Sequence, residues 1–131
     1  MKKHFRAAYA SDIKNVALAR QSIANFAENC GFSDEEVSDV RLAAGEALSN
    51  AVEHGSGAAA RNIVVECTFE DDTLVIEIED SGSSFPEPLV RASVEPDDRG
   101  RGFGIFLMRR LMDEVTFPRN GTIVRLVRRR G

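Results

Sequence analysis

The sequence has no tryptophan and a single tyrosine, and even with eight phenylalanines its aromatic share is only 7%. Surfaces that stack bases or sugars depend on exposed aromatic faces, so this composition disfavours them. Basic residues are in the minority: 17 Lys and Arg against 21 Asp and Glu leave a net charge of −4. Nucleic-acid affinity comes from neutralising phosphates, so no direct nucleic-acid partner is expected. Long hydrophobic runs are missing as well. The longest stretch free of polar and charged side chains is Gly102–Met108, far short of the roughly 20 residues of a membrane-spanning helix. Lys2 and Lys3 are not followed by the apolar core of a signal peptide. The expectation is a cytoplasmic protein with no membrane partner. Cysteine and histidine are scarce too. Cys30, Cys67, His4 and His54 fall in no zinc-ligand spacing, and without a nucleophile-elbow sequence there is no support for hydrolase chemistry.

What is present suits one globular domain spanning residues 1–131, with 43% apolar residues to fill a core. His4 to Tyr9 reads as a short edge strand. Ser11 then offers a cap for a first helix with apolar residues at Ile13, Val16, Ala17, Ile23, Phe26 and Ala27, stopped by Gly31. Ser33 and Glu36 spell a capping box, with Phe32 and Val37 as its hydrophobic staple, so a second helix should run from about Asp34 to His54 and end at Gly55. Two β-rich segments, 62–69 and 73–79, flank Asp71-Asp72 as a hairpin. A long, Gly- and Pro-punctuated stretch follows and reads as a lid over about residues 83–101. A third helix, 103–112, leads to a second hairpin, 115–117 with 123–127, turning at Asn120-Gly121. This order predicts an α+β fold: a two-layer sandwich of one mixed, mostly antiparallel sheet with helices packed on one face.

Three constellations carry chemistry. On the second helix Glu46, Asn50, Glu53 and His54 share a polar arc roughly 100° wide, opposite Val37, Val40, Ala44, Leu48 and Ala51. Taken alone, such an arc is a solvated face, but asparagine is a poor mid-helix residue. A carboxylate one turn before a carboxamide suits metal-assisted chemistry, since one accepts a proton and the other binds a hard cation such as Mg²⁺. Second, Asp80-Ser-Gly82-Ser-Ser-Phe85 follows a strand that alternates less cleanly than a one-sided strand and so reads as central. Its Asp can accept from a nucleobase amino group, and Gly82 lets a flat group approach the backbone. A plain turn would have the same spelling. Third, Gly100-Arg101-Gly102-Phe103-Gly104 opens directly into a helix, where backbone N–H groups can cradle phosphates. It matches neither a P-loop nor a Rossmann spacing.

In this order the three motifs resemble the boxes of a GHKL-type (Bergerat ATP-binding fold) ATPase, and in particular the small bacterial anti-sigma-factor serine/threonine kinases. Glu46–Gly55 looks like the N box and Asp80–Phe85 like the first glycine box. Gly100–Met108 with Leu111-Met-Asp-Glu-Val115 looks like the second. Ser84 departs from the superfamily's second glycine. The resemblance implies ATP and Mg²⁺ as cofactors, Glu46 as general base and Asn50 as the Mg²⁺ ligand. It implies Asp80 and Gly82 at adenine with Thr122 assisting, Gly100, Arg101, Gly102 and Gly104 around the phosphates, and His54 near them. It further implies phosphorylation of an anti-sigma-factor antagonist and sequestration of a sigma factor. Two alternatives stay open: a nucleotide-dependent partner-binding module without kinase activity, and a switch kinase whose output is not a sigma factor. Arg20 interrupts the apolar arc of the first helix, either snorkelling or meeting a partner. That helix has more apolar surface than one core contact needs, so a homodimer is expected. Arg125, Arg128, Arg129 and Arg130 read as edge-strand protection and a solvated tail.

Overall fold

The computed structural model describes residues 2–55, 62–80, 103–118 and 123–131. The chain forms β1 (Lys3–Ala10), α1 (Lys14–Asn29), α2 (Asp34–Gly55), β2 (Asn62–Glu70), β3 (Thr73–Asp80), α3 (Phe103–Leu111), β4 (Glu114–Thr116) and β5 (Ile123–Arg129). The five strands lie in the order β1-β2-β3-β5-β4. All four described pairings are antiparallel, the antiparallel limit of the mostly antiparallel sheet expected. α2 is the middle helix, packed between α1 and α3 and against β3.

Local sequence sets these elements. α1 ends in a Schellman motif: Gly31 takes φ +88°, its N–H reaches the Glu28 carbonyl, and the Phe32 N–H reaches that of Ala27. Two residues later the capping box closes reciprocally. Ser33 Oγ accepts from the Glu36 N–H at 3.1 Å, and Glu36 Oε1 accepts from the Ser33 N–H at 2.8 Å. Phe32 and Val37, the staple, are both buried. The β2–β3 turn puts Asp71 and Asp72 at φ 54° and 57°, the left-handed pair that a two-residue hairpin needs.

Four expectations change. Ser11 does not cap α1: Asp12 Oδ1 accepts from the Lys14 N–H at 3.0 Å, while Ser11 Oγ is buried without a partner. Strand β1 runs on to Ala10 and moves the helix start past Ser11. β3 alternates cleanly after all, with Leu74, Ile76, Ile78 and Asp80 inward, and it is the central strand as expected. β5 continues to Arg129, and the C-terminal arginines are no solvated tail. Arg128 holds Asp39 and the Leu111 carbonyl. Arg129 holds Glu114 at 2.8 Å, and Arg130 holds Asp72 and the Cys30 carbonyl. The turn at Asn120-Gly121 lies outside the described residues.

The core lies between sheet and helices. Ile23 and Ala27 of α1, Val40, Ala44, Leu48 and Ala51 of α2, and Ile105 and Met108 of α3 close onto Val65, Cys67, Ile76, Ile78, Val124 and Leu126. At about 25 cal/mol per Å² of apolar surface removed from water, this burial is the main force holding the layers together. The register of α2 over β3 follows from it, and that register aims the polar arc of α2.

Candidate active site

Because Val37, Val40, Ala44, Leu48 and Ala51 are all buried, the opposite arc of α2 is turned away from the sheet. There Glu46 and Asn50 are half-buried and face the start of α3. The contact is close. A Cβ on Gly104 would stand 2.9 Å from Glu46 Oε2 and 3.3 Å from Asn50 Nδ2. Glycine is therefore needed at Gly104 for the first turn of α3 to lie against the carboxylate and carboxamide. That turn carries the unsatisfied N–H groups and positive dipole end of a helix, so the three residues bring together a carboxylate, a carboxamide and a helix N-terminus.

Asp80 ends β3 on the inner face, cross-strand from Ile63. It is 4% exposed and is the one buried charged side chain among the described residues. A carboxylate is costly to bury unless it is partnered, and Asp80 does have a partner. The strand carrying it packs beneath α2. His54 lies in the last turn of α2. Gly82, Gly100, Arg101, Gly102 and Thr122, and the expected lid over 83–101, lie outside the described residues. Among the described residues no cluster of three His, Cys, Asp or Glu side chains could hold a metal alone. A carboxamide beside a carboxylate is oxygen-donor chemistry that Mg²⁺ accepts, with water and substrate phosphates completing its shell.

Arg20 is half-buried at the α1–α2 seam. A Cβ on Gly45 would meet its Cδ at 3.1 Å and its Nη1 at 3.6 Å. A mid-helix glycine costs about 1 kcal/mol against alanine, and passage for Arg20 is the reason for it here. Sequence reasoning missed Gly45; its signal was a glycine inside an otherwise strong helix, next to Glu46.

The remaining reactive groups fall elsewhere. Burial, with charge from Cys30 and Glu66, pushes the Cys67 thiol up to about 12. Burial also raises the Cys30 thiol against the pull of Lys3 and Arg130. Both are free cysteines in the core and are poor nucleophiles. A hollow of about 350 Å³ lined by Lys3, Cys30, Phe69, Asp71, Asp72 and Arg130 sits at the β2–β3 turn, at the opposite end of β3 from Asp80. Its Arg130 is engaged with Asp72 and the Cys30 carbonyl, so it is a structural corner.

The same arrangement of elements is found in known proteins. Residues 9–128 match the model of the histidine kinase-like ATPase domain. The serine-protein kinase RsbW of Listeria monocytogenes is 34% identical over 109 residues, covering 76% of this chain and 69% of its own length. The anti-sigma F factor of Oceanobacillus iheyensis is 30% identical over 134 residues, 95% of this chain and 90% of its own length. The crystal structure of the RsbU and RsbW domains of a Mycobacterium tuberculosis protein superposes with a TM-score of 0.70 at 19% identity. That match covers 97% of this chain and 32% of the larger one. No helix among the described residues is long and apolar enough to cross a membrane. The chain belongs to the histidine kinase-like ATPase domain family, as an anti-sigma-factor serine kinase of the GHKL superfamily, a group that binds ATP.

Proposed function

We propose that the chain is a cytoplasmic ATPase domain, residues 1–131 with a lid over about 83–101, that phosphorylates a serine or threonine of an anti-sigma-factor antagonist and sequesters a sigma factor. The observation that carries this reading is the approach of Gly104 to Glu46 and Asn50. It fits a site in which a phosphate end sits against the start of α3 while a base waits on α2.

In this reading Glu46 orients the substrate hydroxyl and takes its proton, and the N–H groups at the start of α3 draw charge from the transferring phosphoryl group. Asn50 would hold Mg²⁺ through its side-chain oxygen. The ion, when bound, neutralises phosphate charge. Asp80 accepts from the adenine amino group with Gly82 beside the ring and Thr122 assisting. Gly100, Arg101, Gly102 and Gly104 wrap the phosphates, and His54 lies near them. Arg20, at the α1–α2 seam one residue from the turn of Glu46, contacts the partner proteins. Phosphorylation adds charge to the antagonist and expels it. Leu18 on α1 and Ile13 just before it, 58% and 66% exposed, support a homodimer built around the first helix.

Calorimetry with ATP, with and without Mg²⁺, tests the nucleotide site. Tight binding that weakens without the metal is expected, and no heat of binding contradicts it. Transfer of radiolabelled γ-phosphate to the antagonist tests the kinase reading, and sedimentation tests the dimer.

A further inference from the structure

Helix α3 leaves the site through Leu111-Met-Asp-Glu-Val115, and that exit is tied down closely. Met112 is buried in the core. The Asp113 N–H donates to the Val127 carbonyl at 2.8 Å, and Asp113 Oδ2 accepts from the Arg129 N–H at 2.6 Å. A further tie comes from Arg128. It lies cross-strand from the fully buried Leu74 and follows Val124 and Leu126 on the core-facing side of β5. A guanidinium is costly to shelter there unless its donors are used. Its Nη1 donates to Asp39 Oδ2 at 3.1 Å and to the Leu111 carbonyl. Leu111 ends α3, so that carbonyl is one of the acceptors a helix leaves unpaired at its negative dipole end. One side chain thereby joins α2, α3 and β5.

The geometry of α2 gives this tie a consequence at the site. At 100° per residue, Glu46 and Asn50 fall about 20° to either side of Asp39 around the helix. Ala43, close to that line, is fully buried. Asp39 and Glu46 are two turns apart, about 10 Å along the axis, and Gly104 and Leu111 are the same two turns apart on α3. Helix α3 therefore lies along this line of α2. Its start meets Glu46 and Asn50, and its end reaches Asp39 through Arg128. The bonds at the far end are directional and weaken steeply off their preferred geometry, so they resist sliding of α3 along α2.

We propose that Arg128, paired with Asp39, sets the position of α3 along α2 and so holds its first turn against Glu46 and Asn50. Arg128 is a positioning residue, two turns from the carboxylate, and touches no reacting atom. The inference rests on the proposed kinase activity for its effect on catalysis, and it adds the residue that keeps the site in shape from the other end of the helix.

Arg130 supplies the comparison, since it latches the same end of the sheet through Asp72 and the Cys30 carbonyl, at the β2–β3 turn and the end of α1. Isotope-labelled wild type, Arg128→Gln, Arg128→Lys, Asp39→Asn and Arg130→Ala are compared well below their melting temperatures. The Gly104 amide resonance and phosphotransfer to the antagonist are the readouts. The resonance should shift in Arg128→Gln, shift less in Asp39→Asn, and hold in Arg130→Ala. In Arg128→Gln kcat should fall about tenfold or more with the antagonist's KM unchanged. Arg128→Lys should recover part of the rate, because an ammonium can still serve one acceptor. An unmoved Gly104 resonance in both Arg128→Gln and Asp39→Asn overturns the proposal. So does a loss of transfer no greater than that of Arg130→Ala at equal loss of melting temperature, which makes Arg128 one more latch. If Arg128→Gln does not fold, Asp39→Asn and Arg128→Lys decide on the same readouts. A wild-type chain that transfers no phosphate, with Gly104 still moved by the variants, upholds the positioning and overturns the kinase reading. An active wild type with Gly104 unmoved does the reverse.

Discussion

Gly104 and Glu46, far apart in sequence, meet so closely that a Cβ on the glycine would stand 2.9 Å from the carboxylate oxygen. Alanine in place of a helical glycine ordinarily gains up to about 1 kcal/mol. In Gly104→Ala the atom in the way is the far end of a flexible side chain, which can swing aside at little expense to the fold. The base would move instead. The melting temperature should hold or rise, while phosphotransfer falls about tenfold or more through misplacement. Thermal melting and single-turnover transfer on the same preparation check this. Wild-type transfer in the variant would separate Gly104 from the reacting centre.

Asp80 is the buried carboxylate at the end of β3. Asp80→Asn keeps its shape and removes its charge, so ATP binding should weaken by about 1–3 kcal/mol through loss of a charge-assisted hydrogen bond. Calorimetry reads the difference directly, and unchanged affinity would take Asp80 out of the adenine role.

The Arg130 guanidinium donates to the Cys30 carbonyl at 2.7 Å, pairs with Asp72 and lies 5.4 Å from the Phe69 ring centroid. The Asp72 pair is largely exposed and adds little. The bond to a sheltered carbonyl and the cation–π contact together suggest a loss of about 1–3 kcal/mol in Arg130→Ala. Urea unfolding should show the lowered midpoint with ATP affinity unchanged, because the latch closes the end of the sheet away from Asp80.

Glu36 accepts N–H bonds from Gly131 and Ser33, which hold its carboxyl below its usual value of 4.5. The folded pKa is the depressed one. Its contribution to stability is therefore complete above the unfolded value and is lost as pH falls through the folded value. Glu36→Gln can still serve the capping box but cannot titrate. The wild-type advantage in denaturant midpoint should be steady near neutral pH and shrink on acidification below the ordinary carboxylate range. An advantage that persists undiminished in acid would contradict the assignment.

The parts legible in sequence were those written in short-range chemistry. Ser33 with Glu36, Gly31 after α1 and the Asp71-Asp72 turn each announce a geometry within a few residues, and all were found. The arc of α2 was legible for the same reason, since five small or aliphatic residues at helical spacing fix which way Glu46 and Asn50 turn. Long-range pairings were hidden. Arg128 reaches Asp39 across 89 residues and Arg130 reaches Cys30 across 100, and nothing near those arginines marks them as latches rather than a tail. Ser11 is a good cap by residue type, but β1 runs to Ala10 and the helix start falls past it, at Ile13, with no side-chain cap. At the site, order suggested that Glu46, Asn50 and Gly104 belong together, but only the packing of α3 on α2 put them in contact.

The central claim is that Glu46 acts as the base of a serine kinase, and Glu46→Ala tests it most directly. ATP affinity and transfer of γ-phosphate to the antagonist are measured side by side. The account predicts near wild-type ATP binding, because the nucleotide is held by other groups, with transfer lower by about 10²-fold or more. Transfer at the wild-type rate would contradict it and leave Glu46 as one more carboxylate on a solvated helix face.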